Sequence, residues 1–455
     1  MRLLVVFLFF YNLLFSQIIE EKSSGIHVVE LTSYSLKIAI SSTVKGEIHL
    51  LVLSTIPFKL GVPKDGVKYM RGDQIGEGKI AFVGTDTLFS VRGIRANTMY
   101  YLKLYAVEIK NNAFVYSQVP PIEFQVSTPG LRMENYYESI SMGAPNFLTM
   151  LSELLQVHKV IPYSNYKTTI LKEVELRDTV GGKTFVECAY SGEKKVFQEP
   201  FDWNATGYSR EHTFAHSWMP THPADNPPLP EYSDLHNLYP ANLDKANTVR
   251  NNFPLGEVTG DVLYSYLEGR LGYHGNQIVY EPRAKHKGNA ARSMMYMALA
   301  YNGISGNHWV FPKNQDQDVL KKWHFEDPPD NYEIARQEYI FAVQGNRNPF
   351  IDHPEYVCGI DFSKMVKMKA ECINMLYGNE MPTISISYEN PILNITSDEI
   401  ITGVILHDAT GKSLYLNLLN DFHFQIENYM WKSGVYFLEI TLKGREIVRR
   451  KILLD

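Results

Sequence analysis

Between Tyr208 and Gly256 the chain concentrates titratable and metal-ligating side chains more densely than packing alone requires. Four of the fourteen histidines fall here: His212, His216, His222 and His236. Glu211 and Asp234 stand beside them, with a run of asparagines following. Glu211 and His212 are adjacent, and in a regular strand adjacent side chains point to opposite faces. For both to serve one site they must sit at a strand end or a bend. Asp234–Pro240 alternates like a second strand, and Asn242–Asn251 reads as a short helix with little apolar face. The stretch therefore predicts strand, long loop, strand, helix.

The chemistry of these residues is specific. Glu211 offers a hard oxygen ligand suited to Mg2+. His212 can take a proton from water near neutral pH. Asn247 follows Glu211 by 36 positions (247 − 211). Its neutral amide oxygen can complete a metal site without adding negative charge.

The surrounding chain supplies scaffold and address. At 455 residues it predicts two to four domains. The 29 tyrosines and 23 phenylalanines suit β-rich modules with aromatic cores. The net charge of −6 weakens a general polyanion-binding role, so any such binding needs a local positive patch. Residues 1–16 read as a secretory signal: Arg2, then an apolar run from Leu3 to Phe15. That run is too short for a comfortable membrane span, and no later stretch qualifies. Three cysteines cannot form a disulfide framework; either Cys358–Cys372 is bridged or all three, with Cys188, are buried thiols.

Residues 18–129 carry short alternating runs: His27–Leu31, Ser35–Ile40, Glu47–Leu53, Lys79–Val83, Met99–Val107 and Ile122–Val126. Turn residues separate them, which predicts a β-sandwich. Arg95-Ala-Asn-Thr-Met-Tyr-Tyr-Leu102 resembles the corner of a fibronectin type III module, with Ala96 where proline is usual. Arg71-Gly72-Asp73 reads as an accidental turn tripeptide. From Glu134 the period becomes helical. Helices are predicted at Phe147–His158, Asn289–Tyr301, Val319–Trp323 and Tyr332–Val343, and a strand at Thr184–Tyr190. Gln344–His353 is a polar loop with few structural reasons to exist. Residues 380–455 return to strands.

Several ordered motifs in residues 134–375 resemble the endonuclease I family. They are Arg210-Glu-His-Thr-Phe with Ser217-Trp218, Asp234-Leu-His-Asn-Leu-Tyr-Pro, Asn247-x-x-Arg250-x-Asn, Lys287-Gly-Asn-Ala-Ala-Arg292 and Gln344-Gly-Asn-Arg-Asn-Pro-Phe-Ile-Asp352. The resemblance implies a ββα-metal (His-Me finger) nuclease domain over 133–378 that hydrolyses DNA, and RNA as well, with little sequence preference. It implies that His212 is the general base and that Glu211 and Asn247 hold one Mg2+, leaving 5′ phosphates. A carboxylate or a carbonyl is expected to fix the other nitrogen of His212. The family places a glutamate just before its Asp-x-His-Asn motif, where this chain has Tyr232, so as a carboxylate Glu231 or Asp234 would have to substitute. Some relatives carry a phosphate-binding arginine between the two strands. Residues 213–233 contain no Arg or Lys, so the role passes to Arg250, to Arg210 or to another segment, with Arg250 favoured.

In the last seventy residues, Tyr388-Glu-Asn-Pro391, Asp408-Ala-Thr-Gly-Lys412, Gly434-Val-Tyr436 and Lys451-Ile-Leu-Leu454 resemble the sorting domain of type IX secretion. The resemblance implies that residues 380–455 form a small β-sandwich addressed to that machinery. The expected whole is multidomain: β-sandwich, α+β nuclease domain, small β-sandwich, secreted or held at the cell surface. The partner of the first module is not legible.

Two rivals are kept. His212, His216 and His222 suggest a zinc-dependent hydrolase, although Pro220 and the lack of a Glu after His212 oppose a helical zinc pair. A surface adhesin with a degenerate middle is the other. Lys285–Arg292 divides evenly between a solvated helix start and part of a phosphate track. Trp309 and Trp323 read as core.

Overall fold

The computed structural model describes residues 25–368 and 384–454, apart from stretches at 42–43, 45–47, 57–60, 117–119, 134, 224–228, 390–391, 409–412, 428–433 and 443–446. Residues 1–16, Cys372, the boundary near 379–382, and parts of the carboxy-terminal motifs lie outside the described residues. The chain divides into two compact units, Met1–Ala370 and Glu371–Asp455. No described helix is long and apolar enough to cross a membrane.

The first unit opens with β1 (Ile26–Leu31), β2 (Ser35–Ile40), β3 (Ile48–Ser54), β4 (Gln74–Ile75), β5 (Gly78–Gly84), β6 (Leu88–Arg92), β7 (Met99–Lys110), β8 (Ala113–Val115) and β9 (Ile122–Ser127). One sheet runs β1-β2-β6 and the other β4-β5-β3-β7-β8, with β9 also on β7. Alternate residues of both sheets, among them Leu36, Ile38, Leu102 and Leu104, share one buried cluster. Period-2 burial of this kind is why the sequence rhythm located the strands.

This module is pressed onto the rest of the unit. Arg92 Nε pairs with Glu173 Oε2 at 2.7 Å, and the Ala96 amide donates to the Asn331 carbonyl at 3.1 Å. The Gly182 amide donates to the Arg71 carbonyl at 2.6 Å. Arg71-Gly72-Asp73 is thus a turn set in a seam, with Gly72 buried and its neighbours half-buried. A Cβ on Gly72, which sits at φ +90°, would fall 2.1 Å from the Thr179 carbonyl oxygen.

The rest of the first unit follows. α1 (Phe147–Gln156) buries Phe147, Leu151 and Leu155 at helical spacing. β10 (Asp178–Val180), β11 (Lys183–Glu187) and β12 (Lys194–Val196) form an antiparallel meander. α2 (Trp203–Thr206) is capped by Asp202 and closed by left-handed Gly207, which delivers the chain into β13 (Tyr208–His212). α3 (Pro230–Ser233) precedes β14 (Leu238–Asn242), which pairs antiparallel with β13, Glu211 facing Tyr239. A wide π-type turn over Leu243–Asn247, capped by Asn242, continues into α4 (Thr248–Arg250).

β15 (Val262–Tyr266), β16 (Gly269–His274) and β17 (Gln277–Glu281) make a second meander, followed by α5 (Ala284–Ala300), α6 (Gln317–Glu326), α7 (Asn331–Gln344) and α8 (Pro349–Asp352). β18 (Ile360–Asp361) and β19 (Val366–Lys367) close the unit. α5 begins five residues before its predicted start and is buried from Gly288 to Ala300, the central helix of the main core. Trp309 and Trp323 are fully buried in that core.

The polar loop after α7 has a structural reason after all. Arg347 is fully buried and pairs with both Glu338 and Asp352 at 2.7 Å, while Asn348 caps α8. The second unit consists of β20 (Ile384–Glu389), β21 (Ile392–Asp408), β22 (Ser413–Glu427), β23 (Gly434–Leu442) and β24 (Ile447–Leu454) in one hydrogen-bonded sheet. β21 shifts register between Thr396 and Ile401; β20 pairs before the shift and β23 after it.

Candidate active site

β13 presents two faces. Ser209 and Glu211 share one, Arg210 and His212 the other. Asn247, at the end of the π-type turn, donates from Nδ2 to Ser209 Oγ at 2.7 Å. Its amide therefore lies on the Glu211 face. Glu211 is buried, and its Oε1 accepts from the Tyr190 hydroxyl at 3.1 Å and from Arg250 Nη1 at 3.3 Å. Glu211 Oε2 and Asn247 Oδ1 take no hydrogen bond among the described residues.

On the opposite face, Tyr163 holds both neighbours. Its ring stacks on His212 with centroids 5.6 Å apart and lies 3.8 Å from the Arg210 guanidinium. His212 Nε2 donates to the Tyr232 carbonyl at 2.7 Å. A carbonyl only accepts, so a proton sits on Nε2, and in the neutral ring the lone pair is on Nδ1. His212 is the last residue of β13, the strand-end position the sequence required for an adjacent acid and imidazole.

Of the two kinds of orienting group expected, a carbonyl, that of Tyr232, meets His212, and neither Glu231 nor Asp234 does. Asp234 lies elsewhere, accepting from Tyr296 and Tyr301 at 2.8 and 2.7 Å, from Gln344, and from the His236 amide. That last bond closes a turn, so Asp234 and His236 precede β14 rather than alternate within it. Glu231 is buried and accepts from the Thr221 hydroxyl.

Arg250, favoured as the phosphate contact, has no exposed surface. Besides Glu211, it donates to the carbonyls of His212, Thr213 and Asn251 at 3.4, 2.7 and 3.0 Å, under the Trp218 ring. This is a clamp on the end of β13. Of the basic run in α5, Arg292 is buried against Glu333 and Lys287 pairs with Glu281. Lys285 has neither an ion pair nor a side-chain hydrogen bond among the described residues.

A divalent cation fits the Glu211 face. Two oxygen donors of the hard type are present there without a partner. Burial pushes the Glu211 carboxyl up to about 7, although Arg250 and Tyr190 hold it down, and a cation would supply the missing positive charge. The histidines are less suited to one. The Nε2 atoms of His212 and His216 each meet a carbonyl, of Tyr232 and Pro223, and His222 is exposed. No group of three or more His, Cys, Asp or Glu is gathered for a metal among the described residues.

Ser209, Tyr163 and Tyr190 were not singled out in the sequence. Period-2 reasoning from Glu211 reaches Ser209; the two tyrosines lie 49 and 21 positions away from the residues they touch (212 − 163, 211 − 190) and carry no local signal.

Comparison with known proteins places these motifs in context. The chain is 30% identical over 280 residues to an extracellular ribonuclease of Bacillus amyloliquefaciens, covering 58% of this chain and 89% of the relative. It is 35% identical over 242 residues to an extracellular ribonuclease of Bacillus subtilis (strain 168), covering 50% and 79%. An extracellular deoxyribonuclease of Aeromonas hydrophila is 29% identical over 121 residues, covering 26% and 49%. The family described as Endonuclease I matches residues 145–355, the span that holds β13, β14 and α4. On these grounds the chain belongs to the endonuclease I family.

Proposed function

We propose that this chain is an exported, Mg2+-dependent endonuclease that hydrolyses phosphodiesters of RNA and DNA with little sequence preference. The observation that supports the reading is the Asn247–Ser209 bond, which brings the Asn247 amide to a residue sharing a strand face with Glu211. Glu211 and Asn247 would hold the cation. When bound, Mg2+ would offset charge on the crowded phosphorus and on the departing oxygen. His212, its tautomer fixed by the Tyr232 carbonyl, takes a proton from the attacking water at Nδ1. Tyr163 keeps the imidazole plane in place, and Arg250 keeps the strand end rigid so that the carboxylate and imidazole hold their spacing.

Arg210 supplies the phosphate contact on the His212 face. It is half-buried against Tyr163 and Trp203, and its side chain has one hydrogen bond, to the Tyr163 carbonyl, among the described residues. The relatives' extracellular names support export, and residues 380–455 are proposed to engage type IX secretion machinery.

Nicking of plasmid DNA and cleavage of RNA, each with Mg2+ and with EDTA, test the reading on the intact chain and on His212→Ala. Metal-dependent cleavage lost in the variant is expected. A folded preparation that cleaves neither polymer ends the proposal.

A further inference from the structure

A cavity of about 280 Å3 lies on the seam between the amino-terminal module and the catalytic half. None of Glu211, His212 or Asn247 lines it. Arg95 lines it from the module; Lys285, His286 and Asn289 line it from the start of α5. Its charges are unevenly paired. Glu187 binds Arg177 and Arg283. Asp178 binds Lys194, and Glu175 binds Arg336. Asp330 is held by the backbone amides of Tyr332 and Glu333 alone among the described residues. The lining holds five cations and five carboxylates; of these, Arg95, Lys285 and Glu268 make no side-chain hydrogen bond or ion pair among the described residues.

A buried polar group points the same way. His286 is 3% exposed, and its Nε2 has no hydrogen-bond partner. Buried ring nitrogens are ordinarily satisfied, and leaving one unpaired is costly. Tyr239 and Tyr332 add aromatic walls. The volume falls just below the roughly 300–1,000 Å3 typical of small-molecule sites, room for a small ligand of mononucleotide size rather than a bare ion.

We infer that this seam cavity binds a phosphate monoester of the 5′-mononucleotide class, its phosphate held between Arg95 and Lys285 and its base against the tyrosines. Arginine and lysine together suit a phosphate dianion. The Asn289 amide and the His286 ring supply neutral groups for a base edge. No residue of the β13 site takes part. The nuclease reading enters only as a source of ligand, since strand cleavage leaves phosphorylated ends.

Calorimetric titration of the full chain with dAMP and, separately, with inorganic phosphate tests the inference. EDTA suppresses binding at the Glu211 site, and no turnover is needed, so a chain that fails to cleave nucleic acid is still informative. The expected result is saturable dAMP binding, tighter than that of phosphate. Binding should weaken at least tenfold in Arg95→Gln/Lys285→Gln and stay unchanged in His212→Ala. Both substituted side chains are exposed, and an unaltered melting temperature would confirm folding. No saturable dAMP binding, equal affinity for both probes, or unweakened binding in the double variant would overturn it.

Discussion

Asn247, at the end of the turn after β14, donates from Nδ2 to Ser209 Oγ on β13 at 2.7 Å, and Ser209 shares a strand face with Glu211 two residues along. Asn247→Ala removes the amide oxygen itself and is expected to lower Mn2+ or Mg2+ affinity by at least about a hundredfold. Ser209→Ala removes only that hydrogen bond, with an expected loss of about tenfold to a hundredfold, the usual range for groups that orient a ligand. Calorimetric cation binding measures both. Equal affinity in all three proteins would disconnect the amide from the cation.

Arg250→Ala tests whether the buried guanidinium is a clamp or a substrate contact. Removing it leaves Glu211 buried without its cation and three carbonyls without their donor. Breaking one partner of a buried pair costs about 3–5 kcal/mol. The expected readout is a large fall in melting temperature, and a loss of both kcat and cation binding. A variant as stable as the parent, altered only in KM for nucleic acid, would restore the phosphate role.

Much of this was legible because its signals are local. Strand alternation in the first module, the helical period of α1 and the strand-end requirement for Glu211 and His212 all depend on neighbours in sequence. What could not be read depends on partners far apart. Asp234 opens the motif beside which an orienting carboxylate was sought, yet Tyr296 and Tyr301 draw it into the core. The Tyr232 position lacks the expected glutamate side chain and supplies the bond through its carbonyl, a group every residue carries. The polar loop after α7 could have capped a turn or lined a groove; Asn348 caps α8, and Arg347 is buried against Glu338 and Asp352, nine and five residues away.

Gly72→Ala probes the seam. The glycine sits at φ +90°, and an added Cβ would meet the Thr179 backbone at 2.1 Å. Left-handed backbone costs a non-glycine residue about 1–2 kcal/mol, and the clash forces the two surfaces apart besides. Chemical denaturation followed by intrinsic fluorescence should show a lower midpoint, and limited proteolysis should release the amino-terminal module faster. An unchanged midpoint and digestion pattern would mean the contact contributes nothing to holding the two parts together.

Acid should destabilise the catalytic half through two histidines that the core keeps neutral. Burial lowers His236 to about 4, and burial with the Arg292 charge lowers His324 to about 3, both from an ordinary 6.5. Each folded-state value is depressed, so the unfolded chain binds the proton more readily. Their contribution is present above pH 6.5 and is lost as pH falls towards 4 and then 3, at about 1.4 kcal/mol per pH unit for each group. His324 Nε2 meets only the Pro354 carbonyl among its described hydrogen bonds, so His324→Gln can keep that donor while removing the titration. The variant's unfolding free energy, measured from pH 7 to 4.5, should fall less steeply than the parent's by about one such increment. Parallel curves would show that His324 is not titrating between the two states, and that the acid sensitivity lies elsewhere.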